Sequence, residues 1–205
     1  MKYQSFHKTF KALPIFSIND MLKAEPGFDR KQLVYWQNQG YLQKIINRWY
    51  CFSEATLNED DLFFVANKIY SPSYISFESA LAYYGLIPEG VYTITSATTL
   101  KTKHFKTLKG EFTYHKLKPA LMFGYCLLST GNKQAKIAEP SKALIDFLYI
   151  NSQINSEESV KALRLNKETF KKLMSKKTLN EYLSQYNNKS LERTINLLLK
   201  IMNHA

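Results

Sequence analysis

The 205-residue chain is 45% hydrophobic and 14% aromatic, which is enough to fill real cores, excludes global disorder, and leaves room for two small domains. A formal charge of +11 favours a polyanionic partner, nucleic acid ahead of a membrane surface, because sequence-independent affinity for phosphate scales with the cations presented. No apolar run reaches transmembrane length, and the N-terminal Met-Lys-Tyr-Gln-Ser-Phe-His lacks the apolar stretch of a signal peptide, so a cytoplasmic protein with no membrane partner is expected.

Tyr3 to Leu13 carries Phe6, Phe10 and Leu13 at helical spacing and is closed by Pro14. Ile15-Phe16-Ser17-Ile18 is a short apolar segment, and Ser17 or Asn19 can cap a second helix through Leu22-Lys23. Pro26-Gly27 breaks it. Asp29 then starts a third helix, Arg30 to Gln39, stopped by Gly40. Two β-prone runs follow, Lys44-Ile45-Ile46 and Trp49-Tyr50-Cys51-Phe52, joined at Asn47-Arg48.

Helix, short strand, helix, turn, helix, hairpin is the element order of a winged helix-turn-helix. In the third helix Leu33 and Trp36 share a face, with Leu42 beyond, and pack inward. Arg30, Lys31, Val34, Tyr35 and Asn38 are left outward. In such a fold the N-terminal part of this helix reaches base edges in the major groove. Arg and Asn can pair bidentately with guanine and adenine there. Lys44 and Arg48 of the wing suit phosphate or the minor groove. The DNA-binding candidates are therefore Arg30, Lys31, Tyr35, Asn38, Lys44 and Arg48. The same fold also serves as a protein-docking module.

Asn58-Glu59-Asp60-Asp61 reads as a helix start, a cap followed by acids that complement the helix dipole. That accounts for the acids better than a metal site does. The helix runs to about Tyr70, and Pro72 follows. Ser76 caps the next helix, with Phe77, Ala80, Leu81 and Tyr84 on one face and Gly85 at its end. Val91 to Ser96 is a strand by its β-branched content, and Phe112 to Leu117 alternates as a second. Met122 to Leu128 is an apolar run that reads as a buried third. After a Gly131-Asn132 turn, Ala135 to Ala138 is a fourth. Cys51 and Cys126 lie in apolar runs outside any Cys-x-x-Cys spacing and are expected as buried, reduced thiols.

From Asn155 onward the chain is helical. Asn166-Lys-Glu-Thr is a weak cap, and Thr178-Leu-Asn-Glu181 has capping-box spacing. Ser190 caps a last helix with Leu191, Ile195, Leu198 and Met202 at helical spacing. The fold class expected is α+β. A winged helix-turn-helix over residues 1–58 precedes a small α+β domain with a mostly antiparallel sheet over 59–150. A helical C-terminal segment, 151–205, packs on that domain.

Three short runs stand in order along the central part: Glu78-Ser79-Ala80-Leu81 to Ile87, Phe123-Gly124-Tyr125, and Pro140-Ser141-Lys142-Ala143-Leu144-Ile145-Asp146 to Tyr149. In this the chain resembles the AbiE-type antitoxins over about residues 1–150. That family's usual runs are Glu-Ser-Ala-Leu-x-x-x-Gly-Leu-Ile, Phe-Gly-Tyr and Pro-Glu-Lys-Ala-Leu-x-Asp-x-x-Tyr. Ser141 stands where the family usually has Glu. The resemblance implies a winged-helix head that binds repeats in its own promoter. It also implies a C-terminal part that counteracts a nucleotidyltransferase-type toxin.

Lys101, Lys103, His104, Lys106, Lys109, Lys116 and Lys118 face a single acid, Glu111, along one hairpin interleaved with Phe105, Phe112 and Tyr114. This is a candidate second contact surface for nucleic acid or an acidic protein, or else a solvated hairpin face. Lys161, Arg164, Lys167, Lys171, Lys172, Lys176 and Lys177 make another basic face, of a kind often present for solubility alone. No Gly-rich phosphate loop, His-Glu-x-x-His or Gly-x-Ser-x-Gly occurs. His7, His104, His115 and His204 are scattered. The expectation is a non-enzymatic DNA-binding autorepressor and antitoxin, without cofactor or metal. Its partners would be double-stranded promoter DNA and a cognate nucleotidyltransferase-like toxin. The alternative is an RNA-binding or nuclease-like protein using the hairpin 101–118.

Overall fold

The computed structural model describes residues 2–88, 90–131 and 133–204, with all of their side chains except those of 203 and 204. Asn132 of the expected Gly131-Asn132 turn and the side chain of His204 therefore lie outside the described residues. Those described form a mixed α+β structure with ten α-helices, a small antiparallel sheet and a larger mixed sheet.

The N-terminal part is built on aromatic packing. Phe6 and Phe10, four apart on α1 (Tyr3–Phe10), lie on one buried face. After β1 (Phe16–Ser17), the Ser17 hydroxyl accepts from Asp20 N, and the Asp20 carboxylate accepts from Ser17 N. This reciprocal cap starts α2 (Ile18–Ala24), so Ser17 and not Asn19 is the cap. Asp29 accepts from Lys31 N at 2.9 Å and starts α3 (Arg30–Asn38). Gly40, at φ +72°, lets the chain turn out of α3. β2 (Leu42–Ile46) and β3 (Trp49–Phe52) follow, and the sheet order is β1-β3-β2.

Alternation along β3 divides its side chains between two cores. Tyr50 and Phe52 join Phe6, Phe16, Met21, Leu33 and Trp36. Cys51 and half-buried Trp49 point the other way, into the cluster that holds Ile15, Ile45 and the whole central core. The small sheet is thus covered on both faces, and its outer face is the floor against which the central part packs.

The central elements are α4 (Glu59–Ile69), β4 (Ser73–Ile75), α5 (Phe77–Tyr83), β5 (Thr93–Thr98), β6 (Lys103–Thr107), β7 (Gly110–Lys116), a 3-10 turn at Pro119–Leu121, β8 (Tyr125–Thr130), β9 (Lys133–Ala138) and α6 (Pro140–Ile150). The strand order is β6-β7-β5-β4-β9-β8. The sheet is mixed, not mostly antiparallel as the sequence suggested. Pairs β5–β7 and β4–β9 are parallel, and β4–β5, β6–β7 and β8–β9 are antiparallel. Only the antiparallel pairs join strands adjacent in sequence. Parallel pairs need crossovers, which periodicity within a strand does not reveal.

Ile75, Ser96 and Tyr114 stand in register and share one face. There the Tyr114 hydroxyl donates to the Ala66 carbonyl of α4 at 2.7 Å. Tyr74 and Ser76 point to the opposite face, toward α6. Several local expectations are corrected. Ser76 does not cap α5, because its hydroxyl donates to Asp146 instead. The strand expected from Val91 begins at Thr93, and Tyr92 is 96% exposed. The run from Met122 is not a buried strand. β8 is the sheet's edge, where Cys126 is exposed and Leu127 is 56% exposed.

The tail comprises α7 (Glu157–Ala162), α8 (Lys167–Leu173), α9 (Lys176–Tyr186) and α10 (Lys189–His204). Leu191, Ile195, Leu198 and Met202 of α10 are buried in the same cluster as the central sheet. Two caps differ from expectation. Ser175, not Thr178, caps α9. Asn188, not Ser190, accepts the first amides of α10.

One ion pair sits at the junction of sheet, α6 and tail. Lys142 and Asp146, i and i+4 on α6, are both fully buried. The Lys142 ammonium donates to Asp146 Oδ1 at 2.5 Å, to the Tyr186 hydroxyl at 2.6 Å and to the Tyr74 hydroxyl at 2.8 Å. An ammonium has three protons, and each has an acceptor. Asp146 in turn accepts from Tyr74 and Ser76, both at 2.8 Å, and from Tyr186. The rings of Phe123, Tyr186 and Tyr74 lie 5.0, 5.2 and 5.3 Å from the ammonium. Burial pushes the Lys142 ammonium below its usual range, while Asp146 pulls it back up.

Lys142→Met should leave the buried carboxylate without its cation and cost ~3–5 kcal/mol, read as a lowered urea midpoint. Replacing both members, Lys142→Met with Asp146→Leu, should recover much of that loss. A second outcome concerns pH. Burial pushes the Tyr114 phenol above its ordinary range. The folded state keeps that proton while the unfolded chain releases it, so Tyr114's contribution is complete below pH ~10 and is lost as pH rises further. Unfolding free energy should therefore fall more gently above pH ~10 in Tyr114→Phe, by up to ~1.4 kcal/mol per pH unit.

Candidate nucleic-acid interface

The outward face of α3 follows from what anchors the helix. Leu33 and Trp36 are buried, and Trp36 lies 4.7 Å from the Phe6 ring. At 100° per residue this turns Arg30, Lys31, Val34, Tyr35 and Asn38 outward, and all five are exposed. Val34 is 58% and Tyr35 59% exposed. Among the described residues, no carboxylate pairs with Arg30, Lys31, Lys44 or Arg48. The face presents two cations, an amide, a phenol and a branched methyl side chain along one helix.

The β2–β3 turn is only Asn47 and Arg48, with Arg48 held at φ +71°. The register shifts between Lys44 and Ile46, and Lys44 and Arg48 are both exposed. The sequence did not single out Tyr41, which is also exposed and stacks on Tyr3 at 4.5 Å. Its position directly after Gly40 was the available signal.

The hairpin candidates divide. Lys101, Lys103 and Lys116 are exposed, and Lys103 lies 4.9 Å from the Phe105 ring. Lys106 pairs with Glu111 at 3.0 Å, and His104 stands 3.7 Å from the same carboxylate. Lys109 is half-buried: its ammonium donates to the carbonyls of Ser53 at 3.0 Å and Ala55 at 2.7 Å. It fastens the β6–β7 turn to the end of the N-terminal sheet, and so it is not part of an open cationic surface. Burial raises the neighbouring Cys51 thiol to about 11, against the pull of Lys109. On the tail, Lys161 pairs with Glu157 at 2.6 Å and Lys177 stands 3.9 Å from Glu181.

Among the described residues, the acidic side chains do not converge on an acid–base or metal site. Glu111 is taken by Lys106 and His104, while Asp146 is sealed with Lys142. Asp61 returns to cap α4 and pairs with Lys133, and Asp60 accepts from Thr130. Among the described residues, no group of three or more His, Cys, Asp or Glu side chains could hold a metal ion. Among them, too, no helix is long and apolar enough to cross a membrane. Compared with family models and with curated proteins, the chain matches none.

Lys109→Ala should loosen the join between the hairpin and residues 53–55. Two charge-assisted bonds are lost there, about 1–3 kcal/mol together at a half-buried site. Amide hydrogen exchange over residues 53–57 should speed up while α6 stays protected. Unchanged exchange would show that the clasp does not hold the two parts together.

Proposed function

We propose that the protein is a DNA-binding transcriptional autorepressor and the antitoxin of an AbiE-like toxin–antitoxin system. It acts in the cytoplasm against a nucleotidyltransferase-type toxin. The observation that carries the DNA-binding half is the outward face of α3. Arg30, Lys31, Val34, Tyr35 and Asn38 project together from a helix whose other side is fixed by Leu33 and Trp36. The element order and the β1-β3-β2 sheet support a winged helix-turn-helix reading. In that reading α2 and α3 are the helix pair and β2–β3 the wing. Arg30 and Asn38 then read base edges, and Val34 and Tyr35 contact thymine methyls. Lys31, Lys44 and Arg48 neutralise phosphates.

The antitoxin half rests on the resemblance of Glu78 to Ile87, Phe123 to Tyr125 and Pro140 to Tyr149 to the AbiE family. Because the central core includes Ile15, Ile45 and Cys51, cutting the chain near residue 58 would open that core. Point variants of the full chain separate the two activities more cleanly.

Arg30→Ala and Tyr35→Ala should each lower affinity for the protein's own promoter by ~1–3 kcal/mol while sparing unrelated DNA. Lys44→Ala and Arg48→Ala should weaken binding to any sequence and reduce the salt slope by about 1 each. Mobility shifts over a salt series read both effects. No loss for Arg30→Ala and Tyr35→Ala would remove α3 from the groove. In cells expressing the toxin encoded beside this gene, the same α3 variants should still restore growth. Loss of rescue together with loss of promoter binding would mean that neutralisation works through repression alone.

A further inference from the structure

Between the start of β5 and helices α5, α6 and α7 lies a cavity of about 540 Å³. Glu78, Tyr92, Thr93, Thr95, Phe147 and Leu163 line it. Its polar groups are nearly all accounted for. The Thr95 hydroxyl donates to the Ser76 carbonyl and accepts from Ser79 N. The Thr93 carbonyl accepts from the Ser79 hydroxyl. Glu78 is the exception: its Oε2 is shut off from solvent and has no hydrogen-bond partner among the described residues. A buried acceptor left unpaired costs free energy that a donor would recover.

Among the described residues, nothing on the neighbouring elements supplies that donor. His115, whose ring packs edge-on to Phe77, is the titratable group that feels Glu78. Burial nevertheless holds His115 below the usual imidazole range, so at neutral pH it brings no formal cation. Two aromatic residues line the same cavity. Phe147 is buried in its wall, and Tyr92 is 96% exposed, an aromatic ring with no packing role of its own. A carboxylate, aromatic faces and aliphatic walls together recognise a positive charge on an apolar chain. An anion would meet Glu78 with no cation among the described lining residues to offset it. The volume is in the range of small-ligand sites.

We propose that this cavity is a binding site for a small organic cation, an alkylammonium or alkylguanidinium. Glu78 takes the charged head, and Tyr92 and Phe147 flank the alkyl chain. The site stands apart from α3 and does not depend on the DNA-binding or antitoxin reading.

The test is calorimetric titration of the full chain at neutral pH with n-butylammonium and n-butylguanidinium, and with 1-butanol as the uncharged control. Both cations should give saturable binding and the alcohol none. Glu78→Gln should weaken the cations by about tenfold or more. Tyr92→Ala, at a position with no packing to lose, should weaken them by about threefold. It keeps the test alive if the Gln variant loses its fold, which its melting temperature will report. Absence of saturable heat, equal binding of the alcohol, or undiminished binding to a folded Glu78→Gln protein would overturn the assignment. So would binding by a blocked lysine- or arginine-containing peptide in the absence of binding by the free cations. That result would make the cavity a docking point for a protein side chain.

Discussion

A charge buried out of water must be satisfied in full or it destabilises what surrounds it. The Lys142 ammonium meets that condition only when three distant parts of the chain are in place at once. Tyr74 comes from β4 at the sheet's middle, Asp146 from α6 itself, and Tyr186 from α9 of the tail. The partners lie 68, 4 and 44 residues away in sequence. No two of them suffice. The tail is therefore part of the central fold, and its attachment is specified by polar geometry as well as by the apolar stripe of α10.

The same pair explains two of the three runs by which the chain resembles the AbiE antitoxins. Phe123 lays its ring over the Lys142 ammonium, and Tyr125 stacks on Tyr74 at 5.2 Å. Gly124 lies between them at φ +64°. A Cβ there would stand 3.0 Å from the Tyr182 ring and 3.3 Å from Lys142 Cβ, so only glycine combines that backbone with that closeness. The Gly124 carbonyl accepts from Glu139 N, and Glu139 accepts from the Tyr182 hydroxyl at 2.5 Å. Lys142 and Asp146 are themselves members of the third run. These residues look like chemistry in the sequence, with a lysine, an aspartate and tyrosines close together. Complete burial makes them architecture instead. The first run behaves differently: Ser79, Ala80 and Leu81 are buried, but Glu78 faces a cavity.

How much was legible follows from how local each signal is. Ser17, Asp29, Asn58 and Gly40 mark true element ends because a cap is decided within three or four residues. Thr178 and Ser190 carry equally good local patterns, and neighbours take the role. Ser175 and Asn188 bring their helices in earlier, so two spacings competed and packing of Leu179 and Leu191 set the frame. The outward face of α3 was readable because an amphipathic helix fixes it internally. Strand β4, three residues long, was not, since its identity comes from pairing with β5 and β9. The run at Met122 misled for a related reason. Apolar content was taken for burial, but β8 is an edge strand paired only with β9, and its Leu127 side chain stays 56% exposed.

Net charge was the strongest global signal, and its meaning changes once cations are assigned individually. Lys142 is consumed inside the core, Lys133 by Asp61, and Lys109 by two carbonyls at the join between sheets. Lys106 and Lys161 have carboxylate partners on the surface. The lysines with carboxylate partners are offset in the field that a polyanion would meet, and Lys109 keeps its charge but is tied into the join. Arg30, Lys31, Lys44 and Arg48 remain exposed and without a carboxylate partner among the described residues. They stand on an N-terminal unit whose sheet is pinned from behind by Trp49, Cys51 and Ile45. A cation on a rigid support loses less freedom on meeting a phosphate than one on a mobile arm. The double-faced sheet thus links the two halves of the structure. The packing that makes β3 part of the central core also holds the exposed face of α3 in a fixed orientation.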